Sequence, residues 1–94
     1  MGTHNVNETS ALRGTGTIVA DGEQDQIPVS FEFIIVDKYV EGSGFPRALA
    51  ERHSRGTVTA RNGRLLPEGK YLLTFDDSGT QHVMHVGGEW RFIS

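Results

Sequence analysis

The chain has 94 residues, a formal net charge of −3 at pH 7 and no cysteine. A chain of this length hides only about 60–65% of its unfolded surface, enough for one hydrophobic core and not two. Hydrophobic residues at 36% and charged residues at 22% exclude a disordered chain, and the missing thiols exclude a disulfide framework, a thiolate metal site and a cysteine nucleophile.

The opening stretch "MGTHNVNETSALRGTGTIVA" holds no apolar run of signal-peptide length, and no window approaches a membrane span of about 18 apolar residues. A soluble, cytoplasmic protein without membrane contact is expected. Asn7-Glu8-Thr9 has the form of a glycosylation acceptor, which carries no weight without a secretory signal. Gly2 is not a myristoylation start, because Val6 stands where Ser or Thr is needed.

Residues 1–12 are polar and aperiodic and are expected to form a flexible N-terminal arm, with a single β-barrel domain over 13–94. "RGTGTIVA" then predicts a short strand, and Asp21-Gly22 a hairpin turn. The next strand is the clearest: Ile27, Val29, Phe31, Phe33 and Ile35 share one face at period two, and Ile34 with Val36 makes the far end apolar on both sides.

Residues 41–56, "EGSGFPRALAERHSRG", break the pattern. Pro46 suits the first position of a helix, good helix formers follow, and Gly56 can end it, so a two-turn helix anchored on the barrel by Phe45 and Leu49 is expected. Gly42-Ser43-Gly44 is not a dinucleotide cradle, since GxGxxG would need glycine where Arg47 stands, and it is not a Walker loop. A helix start with Arg47 beside it could still attract an anion, though a flexible connector is the simpler interpretation.

"GTVTA" predicts a further strand, Asn62-Gly63 a type I′ turn and Pro67-Glu68-Gly69 another reversal. Tyr71, Leu73 and Phe75 share a face, "DDSG" turns the chain, and the strands "TQHVMHV" and "EWRFIS" are joined at Gly87-Gly88, with Trp90 and Phe92 on a common side. Sequential strands pair as hairpins, giving two groups, 13–40 and 54–94, around the odd segment. The fold class is all-β with one short helix: a small antiparallel β-barrel or sandwich of about six strands.

Charge is unevenly placed. Residues 1–46 hold Glu8, Asp21, Glu23, Asp25, Glu32, Asp37 and Glu41 against Arg13 and Lys38, whereas 47–70 hold Arg47, Arg52, Arg55, Arg61, Arg64 and Lys70 against Glu51 and Glu68. One interpretation is a ligand-gripping arginine island; the blander one is opposite-sign strands pairing across the sheet or between subunits.

His82 and His85 invite a metal site, but a spacing of three within a strand sends them to opposite faces. Asp76, Asp77, Glu89 or His53 could join them only after a bulge. Ser78 lacks the nucleophile-elbow context, and "DGEQDQ" lacks the calcium loop. No catalytic residue, cofactor or metal ligand is expected.

The expected function is therefore a non-enzymatic binding module that contacts a protein or small anionic ligand through 41–56. Phe45, Arg47, Arg52, His53 and Arg55 are the candidate binding residues. A nucleic-acid-binding OB-like or SH3-like barrel is the alternative, disfavoured by net acidity. A metal-dependent enzyme using His82 and His85 is a further one. Unpaired strand edges also make a second copy of the chain a candidate partner.

Overall fold

The computed structural model describes residues 3–42 and 44–93, leaving aside the side chains of Thr3 and Phe45. Six strands follow in chain order: β1 (Thr3–Ala20), β2 (Ile27–Gly42), β3 (Phe45–Ala60), β4 (Gly69–Phe75), β5 (Thr80–Val86) and β6 (Glu89–Phe92). All pairings are antiparallel, and the hydrogen bonding closes into a ring in the order β1-β2-β3-β6-β5-β4. Closure satisfies the backbone of a small sheet without leaving edges where the ring is complete.

The period-two faces read from the sequence are the walls of one interior. Ile27, Val29, Phe31 and Phe33 of β2 are buried with Ile18, Val58, Ala60, Tyr71, Leu73, Val83 and Trp90, while Phe75 and Phe92 pack against them half-buried. Phe31 meets Phe75 edge-on at 5.2 Å, and Phe33 lies 4.6 Å from Phe92. No polar or charged residue is buried among the described residues. The Tyr71 hydroxyl donates to the Pro67 carbonyl at 2.5 Å, which leaves this core tyrosine satisfied.

Two glycines permit the closure. Gly16 pairs with Val29 of β2 on one side and Phe75 of β4 on the other; Gly56 likewise pairs with both Phe33 and Trp90. At Gly16 a Cβ would collide with the carbonyl oxygen of Thr74, and at Gly56 with that of Glu32. Strands that bend this closely past two neighbours have no room for a side chain.

The helix expected over 46–56 does not form. That stretch is the first half of β3, paired with β2 from Gly42↔Phe45 to Val36↔His53 and onward. A two-turn helix makes few net hydrogen bonds and is marginal alone, whereas pairing satisfies the far half of β2 residue by residue. Pro46 is tolerated because it stands second in the strand, on a free edge where its missing donor is not needed. Leu49, expected to anchor on the barrel, is 50% exposed and lies outside the core.

The N-terminal stretch also differs from expectation. From Thr3 the chain is already β1, paired with β2 from Thr3↔Gly42 down to Ile18↔Ile27. The loop between β3 and β4 holds no type I′ turn at Asn62-Gly63, since Asn62 has negative φ and only Gly63, at 77°, crosses over. The Asn62 side chain instead accepts the Arg64 N–H at 2.9 Å, an Asx turn. Gly87 and Gly88, at 61° and 80°, do make the two-residue reversal between β5 and β6.

Candidate functional site

Barrel closure uses only part of the long strands. β4 covers β1 from Gly16 to Ala20, and β6 pairs with β3 at Gly56, with one further bond from the Phe92 N–H to the Ser54 hydroxyl. The rest of β1, β2 and β3 continues as a three-stranded arm with β2 in the middle. The molecule is consequently elongated, 54 × 27 × 20 Å.

Register partners share a face, so the arm can be followed layer by layer. The face continuous with the barrel interior carries Leu12, Phe33 and Gly56, then Ser10, Ile35 and Ser54, then Glu8, Asp37 and Arg52, then Val6, Tyr39 and Leu49. The opposite face carries Ile34 with Arg55, Val36 with His53, Lys38 with Glu51, and Val40 with Ala48. The last fully buried residue along β2 is Phe33; beyond it no layer is closed over.

Opposite charges meet across these layers. Arg47 reaches Glu8 and Glu41, both at 3.0 Å, with its guanidinium 4.4 Å from the Tyr39 ring centre. Arg52 donates through Nε to Asp37 Oδ1 at 2.6 Å and through Nη2 to Oδ2 at 3.0 Å. On the other face Glu51 takes Lys38 at 3.5 Å and His53 at 2.7 Å. The acidic first half and basic middle of the sequence are thus cross-strand partners brought together by the β1-β2-β3 meander. Exposed pairs of this kind add little to stability and mainly select register.

The Arg52 hydrogen bond holds the Asp37 carboxyl below its ordinary range. The charge of His53, followed by that of Lys38, does the same for Glu51. Both carboxylates have depressed folded-state values, so their contribution is complete above the unfolded range and is lost as the pH falls through the folded values.

The candidate binding residues do not converge on one surface. Arg47 and Arg52 lie on the face that continues the barrel interior, and each is engaged by carboxylates of its own chain. His53 and Arg55 lie on the reverse face: the strand alternates its side chains, and the register shift at Lys38/Tyr39 carries Arg47 over to the face of Arg52. Phe45 opens β3, with its side chain outside the described residues. Arg55 makes no ion pair among the described residues and borders a shallow hollow with Glu32, Ile34 and Glu89.

His82 and His85 are separated as the strand geometry requires. His85 stacks flat on Trp90 at 4.3 Å, with Nδ1 3.2 Å from the Pro67 carbonyl; His82 is exposed on the other side of β5. No group of three His, Asp or Glu residues fit to hold a metal occurs among the described residues, and no helix there is long and apolar enough to cross a membrane.

Sequence reasoning missed two features. Ile34 and Leu49 stand 41% and 50% exposed on opposite faces of the arm. A cleft of about 330 Å³ opens where β1 leaves β4, floored by Phe31 and Phe75 and rimmed by Asp76 and Asp77. Gly14 helps to open it: a Cβ there would stand 3.1 Å from the Phe31 ring. The signal available in the sequence was "RGTGT", whose two glycines inside a strand mark close approach rather than flexibility. No family model, curated protein or solved structure matches the chain.

Proposed function

We propose that the protein is a non-enzymatic binding module in which the barrel is the scaffold and the three-stranded arm docks another polypeptide chain. The observation that carries this is the mismatch between strand and core: burial is complete at Phe33, yet paired strands run on to Gly42. A three-stranded sheet with no layer over either face gains little from burial and leaves backbone groups unpaired along both outer edges. Covering Ile34 and Leu49 would add on the order of 1 kcal/mol each. A chain that keeps such an extension has a use for its surface.

A polypeptide suits the arm better than an anion. Arg47 and Arg52 would have to give up Glu8, Glu41 and Asp37 before gripping a phosphate, and the acids left behind would repel it. Both a small anionic ligand and a nucleic acid are therefore weaker readings. A cysteine-free chain is compatible with work in the reducing cytoplasm.

The test uses the full chain as bait in an extract of the cells that make it, beside an Ile34→Glu, Leu49→Glu, Thr9→Pro variant, altered on both faces and on the β1 edge of the arm, with an unchanged circular dichroism spectrum. A polypeptide retained by the first and lost by the second, and binding the same way once purified, is the expected result. Undiminished retention by that variant would overturn the role of the arm.

A further inference from the structure

The two outer edges of the arm are not equivalent. The β3 edge is blunted: it carries Pro46, its pairing with β2 shifts register at Lys38/Tyr39 and again at Val40/Gly42, and the Ser54 hydroxyl already takes the Phe92 N–H at 2.8 Å. Prolines and bulges are common means of closing an edge to further strands. The β1 edge has neither: between Thr3 and Gly14 its register with β2 is unbroken, it contains no proline, and no strand pairs with its far side among the described residues.

The direction of the free backbone groups can be read from the last bond on that side. The Asp76 N–H donates to the Thr15 carbonyl at 3.1 Å, so Thr15 points away from β2. Alternate residues of a strand point the same way, which turns the N–H and C=O of Asn5, Asn7, Thr9, Ala11 and Arg13 toward the open edge.

Resting on the reading of the arm as a docking element, we infer that its partner is a second copy of this chain, joined β1 to β1 in antiparallel fashion about a two-fold axis through Thr9. Only an axis through a residue pairs outward-pointing groups with outward-pointing groups. With the axis at Thr9, Val6 faces Leu12, Glu8 faces Ser10, Asn7 faces Ala11 and Asn5 faces Arg13, so no like charges are opposed. An axis at Glu8 would set that carboxylate against itself. An axis at Ser10 would set Glu8 against Leu12 and leave Val6 facing Gly14.

The chosen register also fills the cleft at the root of β1. It brings His4 of the second copy opposite Gly14, the residue whose missing side chain helps to open the space over Phe31. Asp76 and Asp77 stand on the rim, so the incoming imidazole, which lies 3.2 Å from Glu41 within its own chain, exchanges that acceptor for an aromatic floor and two rim carboxylates. Two such contacts are made per dimer, one at each end of the paired segment.

Sedimentation of the full chain over a range of concentrations tests this, beside Thr9→Pro, which removes a donor that the chain does not use internally. The wild type is expected to be dimeric, and Thr9→Pro monomeric at concentrations where the wild type is fully dimeric. Should Thr9→Pro fail to fold, single-thiol variants decide in its place, since the chain has no cysteine of its own. Thr9→Cys should form a disulfide-linked dimer on mild oxidation, because paired antiparallel residues stand about 5.5 Å apart, whereas Leu49→Cys should not. A wild type that stays monomeric, a dimer that survives Thr9→Pro, or cross-linking through Leu49→Cys but not Thr9→Cys would overturn the second copy as partner. The docking role of the arm would still be judged by its own retention test.

Discussion

Gly56→Ala is expected to destabilise the barrel by roughly 4 kcal/mol or more, placing it among the rare severe single substitutions. The added Cβ would collide with the Glu32 carbonyl and stand 2.8 Å from both Cα and Cδ1 of Phe33. Backbone cannot move aside there as the end of a flexible side chain could. Gly56 is also where β3 pairs with Trp90 of β6, so relieving the clash would part the strands that close the ring. For a domain of this size each kcal/mol lowers Tm by about 4–8 °C, which predicts a fall of roughly 15 °C or more in thermal unfolding. Gly79→Ala is the control. A Cβ at Gly79 meets nothing within 4 Å, and its Tm should stay close to that of the wild type. A Gly56→Ala protein as stable as the Gly79→Ala protein would mean that β2, β3 and β6 do not converge as described.

Phe33→Ala is the second large effect, with an expected loss of about 3–5 kcal/mol from removed apolar contact and the cavity left behind. Phe33 is fully buried and touches both the barrel interior and the first layer of the arm, with the Phe92 ring at 4.6 Å and the Phe31 ring at 6.1 Å. Total stabilities of small domains are about 5–15 kcal/mol, so this single change removes a large fraction. Its neighbour supplies the contrast. Ile34 points to the opposite face and is 41% exposed, so Ile34→Ala should cost less than about 1 kcal/mol. Urea unfolding of the two variants measures the difference, and equal losses would contradict the alternation of β2.

Legibility followed burial. Ile27 to Phe33, Tyr71 with Leu73, and Trp90 were readable because one face of each strand meets the core, and only a buried face imposes period two on a sequence. The same rule explains the failures. In the arm neither face is covered, so 3–12 and 45–55 carry no alternation, and local propensity was left as the only guide. It pointed to a loose tail in "THNVNETSAL" and to a helix in "RALAERHSR"; pairing with β2 overrode both. A trace of the hairpin was nevertheless present. Asp37 with Arg52 and Lys38 with Glu51 form opposite-charge pairs nested about Gly42 and Gly44, as a reversal at that point requires.

The candidate site divided along the same line. The charge asymmetry was visible in composition, and its favoured explanation, pairing of opposite-sign strands, matches the contacts of Arg47 and Arg52. Arg47, Arg52, His53 and Arg55 come from one short stretch, and whether they share a surface depends on how that stretch folds. As a strand it places Arg52 on one face and His53 and Arg55 on the other, with Arg47 brought to the face of Arg52 by the register shift between them. The open edge of β1 was not readable, because an edge is a property of which strands lie next to each other and not of the strand itself.

The central claim is that one continuous strand passes from a cored barrel into an arm that has no core of its own. Native-state hydrogen exchange along β2, recorded on protein dilute enough to be monomeric, tests this most directly. The amides of Val29, Phe31 and Phe33 should exchange only through global unfolding, while those from Val36 to Gly42 open locally and exchange far faster at every temperature below Tm. Uniform protection from Ile27 through Gly42 in the isolated chain would contradict it.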